Sequence, residues 1–251
     1  MHRCYIQQNN WQGTYAFPSK EELHHIIHVM RLKIGEAVEI FDGEGHESRA
    51  IVVNANGEHD SPICLKIVSD VITAEQSVKL TLFQSIPKGK RIDTLIEKCT
   101  ELGIDEIVPM ITERVVVKIS DSKSEQHKIS RWQSIALSAA KQCGRADIPT
   151  ITEVVSLLKV FDKFEKPTLI LIASLEDTAV RLQEVVQKIK SEGQSIDCIG
   201  IFIGPEGDFT EKEHNFLVDQ GGIPVSFGKL IMRVETASIY ATSILAYEFI
   251  N

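Results

Sequence analysis

The chain has 251 residues, of which 43% are hydrophobic and 25% charged, a globular composition that excludes a disordered protein. Its longest apolar runs, Leu169–Ala173 and Cys198–Ile203, fall far short of the roughly 20 residues that cross a bilayer, so no membrane segment is expected. A formal net charge of −8 argues against a uniformly basic nucleic-acid binder.

The first 74 residues read as a small β-rich domain. Arg3–Gln7 is a short strand, and a helix is expected near Glu21–Met30. Ala37–Phe41 and Ser48–Asn54 are alternating, β-branched runs flanking Asp42-Gly-Glu-Gly45, which is a hairpin pattern. Pro62–Val68 supplies a further strand. Short strands joined by tight turns imply a small barrel or sandwich. Six of the eight histidines lie here: His2, His24, His25, His28, His46 and His59. His24 and His28 have a metal-ligand spacing on the expected helix, but no third ligand accompanies them, so surface or packing histidines are expected and no metal site.

From Ser77 onward strand and helix alternate. Strands are expected at Val78–Gln84, Glu106–Met110, Thr168–Ala173, Asp197–Ile203 and Pro224–Ser226. Helices are expected at Lys90–Leu102, His127–Gln142, Val154–Phe161, Thr178–Ser191, Thr210–Gln220 and Glu235–Phe249. Continuous apolar strands between amphipathic helices imply a parallel sheet covered on both faces, an α/β domain over residues 75–251. Ligands in such folds bind beyond the carboxyl ends of the strands. The loops after Ala173, Ile203 and Ser226 are therefore the places to look.

Charge and cysteine usage refine this picture. Pro87 to Arg145 holds 11 Lys+Arg against 8 Asp+Glu, whereas residues 1–74 hold 6 against 10 and residues 146–251 hold 9 against 16. A basic middle between acidic flanks suits either an RNA-facing surface or an ordinary solvated helix face. Cys4, Cys64, Cys99, Cys143 and Cys198 are odd in number and widely spaced, as expected of reduced thiols. The opening Met1-His-Arg-Cys-Tyr-Ile has no apolar signal core, and a cytoplasmic protein is expected.

Two segments concentrate the candidate chemistry. Gly204-Pro-Glu-Gly-Asp-Phe-Thr210 ends a buried strand, turns on glycine and proline, and opens a helix through the capping-box spacing of Thr210 and Glu213. Gly207 is expected either to take positive φ or to let a ligand approach the backbone. Taken alone, the segment leans towards a plain strand-to-helix turn. It is neither a dinucleotide fingerprint nor a phosphate-binding loop, because G-x-G-x-x-G and G-K-[ST] are both absent. The second segment, Phe227-Gly-Lys-Leu-Ile-Met-Arg-Val-Glu-Thr-Ala237, places Leu230, Ile231 and Met232 in a loop, where they either plug the core or line an apolar pocket. Arg233 and Glu235 stand where the last helix begins, as a reactive pair or as a simple salt bridge.

Together, Gly204-Pro-Glu-Gly207 and Gly228-x-x-Ile-Met-Arg-x-Glu-Thr-Ala237 resemble the SPOUT-type methyltransferases that modify uridine N3 in 16S rRNA, the RsmE family. The resemblance runs through the chain in order: Arg3, His28-Val-Met-Arg31 with Gly35, Pro87-Lys-Gly-Lys-Arg91, Glu101-Leu-Gly103, Thr112-Glu-Arg114, Arg131-Trp-Gln133 and Ala140-Lys-Gln-Cys-Gly-Arg145. Three positions depart from the family pattern: Asp208 stands for a second glycine, Leu230 for an arginine and Val234 for a threonine. The resemblance implies a C-terminal SPOUT domain with a deep trefoil knot, a PUA-like RNA-binding barrel over residues 1–74, and a homodimer. It implies that S-adenosylmethionine is held by Ile172, Ala173, Ser174 and Leu175, by Gly204, Pro205, Glu206 and Gly207, and by Phe227, Gly228, Leu230, Ile231, Met232 and Ala237, without a metal.

Uridine N3 is a poor nucleophile until it loses its proton, so the chemistry implied needs charge stabilisation and proton removal. Arg233 is the expected partner of the base or its anion, and Glu235 either orients Arg233 or relays the proton. Arg3, Arg31, Lys88, Arg91, Arg114 and Arg145 are candidate contacts to the 16S rRNA of the small ribosomal subunit. The competing readings are a non-catalytic RNA-binding or ribosome-assembly protein on this fold, a SPOUT enzyme acting on tRNA or a ribose 2′-hydroxyl, and an α/β enzyme of small molecules.

Overall fold

Period-two burial organises the first part of the chain, as seen in a computed structural model that describes residues 2–54, 63–73, 78–116 and 122–250. His59, Pro62, Ser77 and the expected boundary between residues 74 and 75 lie outside the described residues. The first sheet contains β1 (Arg3–Tyr5), β2 (Trp11–Gln12), β3 (Tyr15–Ala16), β4 (Ala37–Phe41), β5 (His46–Asn54), β6 (Ile63–Ile67) and β7 (Ile72–Thr73). Its hydrogen-bonded order is β1-β4-β5-β6-β3-β2, with β7 on β5. The expected hairpin is present: β4 and β5 pair antiparallel from Ala37 opposite Ile51 to Phe41 opposite Glu47. Asp42 closes it, its buried carboxylate accepting from the backbone N–H of Glu44 at 2.8 Å and of His46 at 3.0 Å. Alternate residues of these strands, Val38, Ile40, Ala50 and Val52, form the core with Cys4, Ile6, Ile26 and Leu65.

The expected helix at Glu21–Met30 is two pieces. A turn of α1 (Lys20–His24), capped by Ser19, runs into a π-helical turn at His25–Val29. The His24 and His28 rings lie 4.6 Å apart, in contact with each other. Among the described residues no three His, Cys, Asp or Glu side chains gather as a metal-binding group.

The second sheet is entirely parallel. It comprises β8 (Lys79–Ser85), β9 (Glu106–Ile111), β10 (Thr150–Ile151), β11 (Val155–Ser156), β12 (Leu169–Ala173), β13 (Val180–Arg181), β14 (Cys198–Ile203) and β15 (Ile223–Ser226). The order is β10-β9-β8-β14-β12-β15-β13, with β11 on β9. Its helices are α2 (Arg91–Glu101), α3 (Ser122–Cys143), α4 (Val160–Lys163), α5 (Leu182–Glu192), α6 (Glu211–Asp219) and α7 (Val234–Phe249). The core beneath the sheet is aromatic. Phe83 and Phe202 stack face to face at 4.2 Å, and Phe161 meets Phe202 edge-on at 5.9 Å.

Two expected helices are shorter than the sequence suggests. Val154–Phe161 is broken into β11, a 3-10 turn at Leu157–Lys159 and the first residues of α4. Its apolar residues fit either period. Burial of Val155, Leu157 and Val160 in the same core as Val108 and Met110 decides for an edge strand followed by a tight turn. Likewise Val180 and Arg181 pair with β15, so α5 begins only at Leu182.

The chain divides into two compact units, one comprising the residues up to Glu75 with Leu137–Ile148 and the other Gln76–Ala136 with Pro149–Asn251. Within the first unit, Gly43 donates to the Ala146 carbonyl at 3.1 Å and accepts from Ile148 N–H at 3.0 Å. A Cβ at Gly43 would come within 2.7 Å of Ile148, and its φ is +82°, so only glycine fits. The Lys141 ammonium also pairs with Glu22 at 2.5 Å. All five cysteines are free thiols. Burial pushes the Cys4 and Cys99 thiols up to about 12, which leaves them protonated and unreactive at neutral pH. No helix among the described residues is long and apolar enough to cross a membrane.

Candidate active site

Neighbouring strands β14, β12 and β15 end side by side, so the loops that follow them meet. They enclose a cavity of about 330 Å³, within the range of small-molecule sites. Its wall includes Ala173, Ser174 and Leu175 from the first loop, and Gly204, Pro205, Glu206 and Asp208 from the second. Phe227, Gly228, Leu230, Ile231, Met232, Arg233 and Ala237 come from the third. The three segments singled out in the sequence are thus brought together.

Two of the expected wall residues are elsewhere. Ile172 is fully buried in the aromatic core with Phe83 and Phe202, because its side chain alternates away from the cavity along β12. Gly207 does not line the cavity and does not have positive φ. The left-handed residue of the turn is Asp208, at φ +62°. That is the position where the family pattern carries a second glycine, and asparagine or aspartate is the side chain that best tolerates it. The Asp208 carboxylate accepts from Phe209 N–H at 2.8 Å, and Asp208 N–H donates to the Pro205 carbonyl at 2.9 Å.

The capping box forms as expected. Thr210 accepts from Glu213 N–H, and the Glu213 carboxylate accepts from Thr210 N–H at 2.9 Å. Spacing alone does not reveal that the other Glu213 oxygen accepts from Glu113 N–H at 2.8 Å, tying the loop after β9 to the start of α6. From that same loop Arg114 donates to the Gly207 carbonyl at 2.6 Å and the Phe209 carbonyl at 3.3 Å, its methylenes packed over Gly207. Gly207 therefore makes room for Arg114.

Around the third loop, Gly228 takes φ +118°, and Leu230 and Ile231 are 79% and 80% exposed. The three-residue apolar stretch stays out of the core. Arg233 sits at the N-cap of α7, exposed, and its side chain makes no hydrogen bond or ion pair among the described residues. Glu235 lies in the first turn of α7, where a carboxylate complements the helix dipole. Its ion-pair partner is not Arg233 but Arg91, at 3.9 Å, and its Oε2 is buried with no hydrogen-bond partner among the described residues. Arg91, expected as an RNA contact, lines the cavity and bonds Glu206 at 2.7 Å.

The other basic candidates separate by environment. Arg3 is 10% exposed in its side chain, lies over the Phe41 ring, and pairs with Glu47 at 2.8 Å and Glu39 at 3.4 Å. Arg145 pairs with Asp147. Both are neutralised within the first unit. Arg31 and Lys88 are exposed, and Arg31 takes φ +56° just beyond the π-helical turn.

Comparison with known proteins agrees with this arrangement. The family description "RNA methyltransferase domain" matches residues 74–246, and "RNA methyltransferase PUA domain" matches residues 18–59. The ribosomal RNA small subunit methyltransferase E of Bacillus subtilis is 32% identical over 228 residues, covering 91% of this chain and 88% of that protein. A solved structure of the Neisseria gonorrhoeae ribosomal RNA small subunit methyltransferase E, bound to S-adenosyl methionine, is 28% identical. It superposes with a TM-score of 0.82 over 98% of this chain and 97% of its own. A Legionella pneumophila protein solved in complex with the same cofactor gives a TM-score of 0.82 at 30% identity, over 98% of this chain and 96% of its own. The chain belongs to the ribosomal RNA small subunit methyltransferase E family.

Proposed function

We infer that this chain transfers a methyl group from S-adenosylmethionine to N3 of a uridine in the 16S rRNA of the small ribosomal subunit, in the cytoplasm. The observation that carries this reading is the cavity formed by three loops at the ends of adjacent parallel strands, with the unpaired guanidinium of Arg233 beside it. The residues fit the cofactor: Leu175, Leu230, Ile231 and Met232 offer apolar surface to an adenine, and Arg91 and Glu206 offer charges to its amino-acid end. When bound, the cofactor supplies a methyl group on positively charged sulfur. Arg233 stabilises the negative charge that spreads onto the uracil carbonyl oxygens as N3 loses its proton.

Residues 75–251 are proposed as the methyltransferase domain, its C-terminal loops knotted as a deep trefoil, and residues 1–74 as the RNA-binding barrel. The two family matches support this division. A homodimer is proposed on the same family grounds. Exposure of Tyr240 and Tyr247 along α7 supports it, since large side chains left open on one helix suit a covered surface.

Primer extension on 16S rRNA from cells with and without the gene tests the reaction. An N3-methyl group blocks the pairing edge of uracil, so a reverse-transcription stop should appear only in cells with the gene. Identical patterns in both would refute the assignment.

Two substitutions probe the binding surfaces. A Cβ at Gly204 would stand 3.1 Å from Asp208 Oδ1 and 3.3 Å from Phe209 N, within the cavity wall. Gly204→Val is expected to weaken S-adenosylhomocysteine binding at least about tenfold by calorimetry, because a branched side chain displaces the turn. Unchanged affinity in a folded variant would assign the ligand elsewhere. In the first unit, Arg31→Glu should weaken binding of a 16S rRNA fragment and flatten its log–log salt slope by roughly 0.7–0.9 per lost phosphate contact. Arg3→Glu is the contrasting variant, since it would set a third carboxylate beside Glu39 and Glu47 and destabilise the unit instead. An unaltered salt slope in Arg31→Glu would remove this residue from the RNA surface.

A further inference from the structure

Arg3, Arg91 and Arg145 each pair with a carboxylate, whereas Arg114 pairs with none among the described residues. Its Nη1 instead donates to the Gly207 carbonyl at 2.6 Å and to the Phe209 carbonyl at 3.3 Å. Those two carbonyls bracket Asp208, the left-handed residue of the turn. Asp208 lines the cavity, and Phe209 is buried in the core behind it. Carbonyl oxygens that converge on one point repel each other, and a cation between them removes that repulsion. The turn closes around a charge supplied from outside it.

β8 lies between β9 and β14 in the sheet, so the loop after β9 crosses the end of one strand to meet the loop after β14. Val115 N–H donates to the Thr112 carbonyl at 3.1 Å, which folds the first of these loops back on itself. Glu113 N–H donates to the buried Glu213 carboxylate at 2.8 Å. Glu213 also caps α6, so one carboxylate fixes both the start of that helix and the loop that carries Arg114. The Arg114 methylenes then cover Gly207, where a Cβ would stand 3.3 Å from Arg114 Cδ. Neither Arg114 nor Gly207 belongs to the cavity wall. Whatever either does to a molecule in the cavity, it does through the turn.

The geometry points to Arg114 as a positioning residue that holds the Gly204–Asp208 turn in its binding shape before the cofactor arrives. This rests on the cavity being the S-adenosylmethionine site. A wall set in advance need not be ordered by the ligand, so losing the brace raises Kd and KM for the cofactor and spares the chemical step. An arginine recruited for RNA phosphate would act on RNA affinity and its salt dependence instead. The assignment also gives Gly207 its reason, since a side chain there crowds Arg114 against the two carbonyls it serves.

The test uses the full chain. Hydrogen exchange followed by mass spectrometry, with no cofactor present, should be faster over 204–210 in Arg114→Ala, because Asp208 N–H and Phe209 N–H are both bonded within the turn. Affinity for S-adenosylhomocysteine by calorimetry should fall about tenfold, the worth of one charge-assisted hydrogen bond. The cofactor KM should rise by a similar factor, with kcat and melting temperature close to the parent. Arg114→Lys, whose ammonium can serve one carbonyl, should recover part of the affinity. Gly207→Ala should weaken binding by crowding Arg114 Cδ, and should cost nothing further in Arg114→Ala, where that atom is gone. Unchanged exchange over 204–210, a loss confined to RNA affinity, or multiplicative losses in the double variant each overturn the assignment. A wild-type protein that binds no S-adenosylhomocysteine would instead refute the cofactor reading, and the exchange result would still decide whether Arg114 braces the turn.

Discussion

Arg233→Ala should leave the protein folded, with wild-type cofactor affinity, while methyl transfer falls about 100- to 1000-fold, the loss typical of one well-placed charge stabiliser. The reasoning is that the charge Arg233 meets appears mainly when N3 loses its proton. An interaction of that kind lowers the barrier without adding much ground-state binding. The structure sharpens the expectation. A salt bridge to Glu235 was the competing duty for Arg233, and Glu235 is paired with Arg91 instead. An exposed N-cap arginine with no partner among the described residues has little to contribute to stability, so its melting temperature should be that of the parent. Rapid-quench measurement of a single turnover, beside calorimetry with S-adenosylhomocysteine, separates the two effects. Near wild-type turnover would leave Arg233 without a catalytic role and leave the cofactor site untouched.

Phe202→Ala is expected to cost about 3–5 kcal/mol of unfolding free energy, a large part of the 5–15 kcal/mol that a domain usually has. Phe202 has no exposed surface, lies flat on Phe83 and receives the edge of Phe161. Removing the ring opens a cavity between β14 and β8 and forfeits aromatic contacts worth about 0.5–1.5 kcal/mol beyond the buried area. Gly204 follows only two residues later, so the same change should loosen the turn on which the site depends. Urea denaturation measures the loss, and Phe202→Leu, which keeps most of the volume, should lose markedly less. A cost below about 1 kcal/mol would mean the aromatic stack does not anchor the sheet.

Much of the architecture could be read from the residues because local chemistry and burial agree there. The run Cys198–Ile203 has no polar residue and becomes the central strand of a parallel sheet. Asp42-Gly-Glu-Gly45 demands a turn, and a hairpin forms around it. Thr210 and Glu213 cap α6 through a four-residue spacing that needs no tertiary partner. Two of the site loops were legible for a related reason: those after β14 and β15 each join a strand end to a helix, and glycine marks the join.

What the residues alone left open depends on partners distant in the chain. Val154–Phe161 carries apolar spacing that suits two periods, and only the free edge of β9 selects the strand. Gly207 and Asp208 are adjacent, yet Asp208 is the one that turns left-handed, while Arg114 packs over Gly207. Arg3, Arg31, Arg91, Arg114 and Arg145 look alike as basic residues. Their duties diverge through acidic or carbonyl partners up to 115 positions away, as between Arg91 and Glu206. The sequence by itself determined strand and helix order, the turns and the identity of the site loops, since these follow from backbone preferences and alternation over a few residues. The tertiary structure decided which charges stay free and which are paired, because electrostatic pairing acts across space and has no period along the chain.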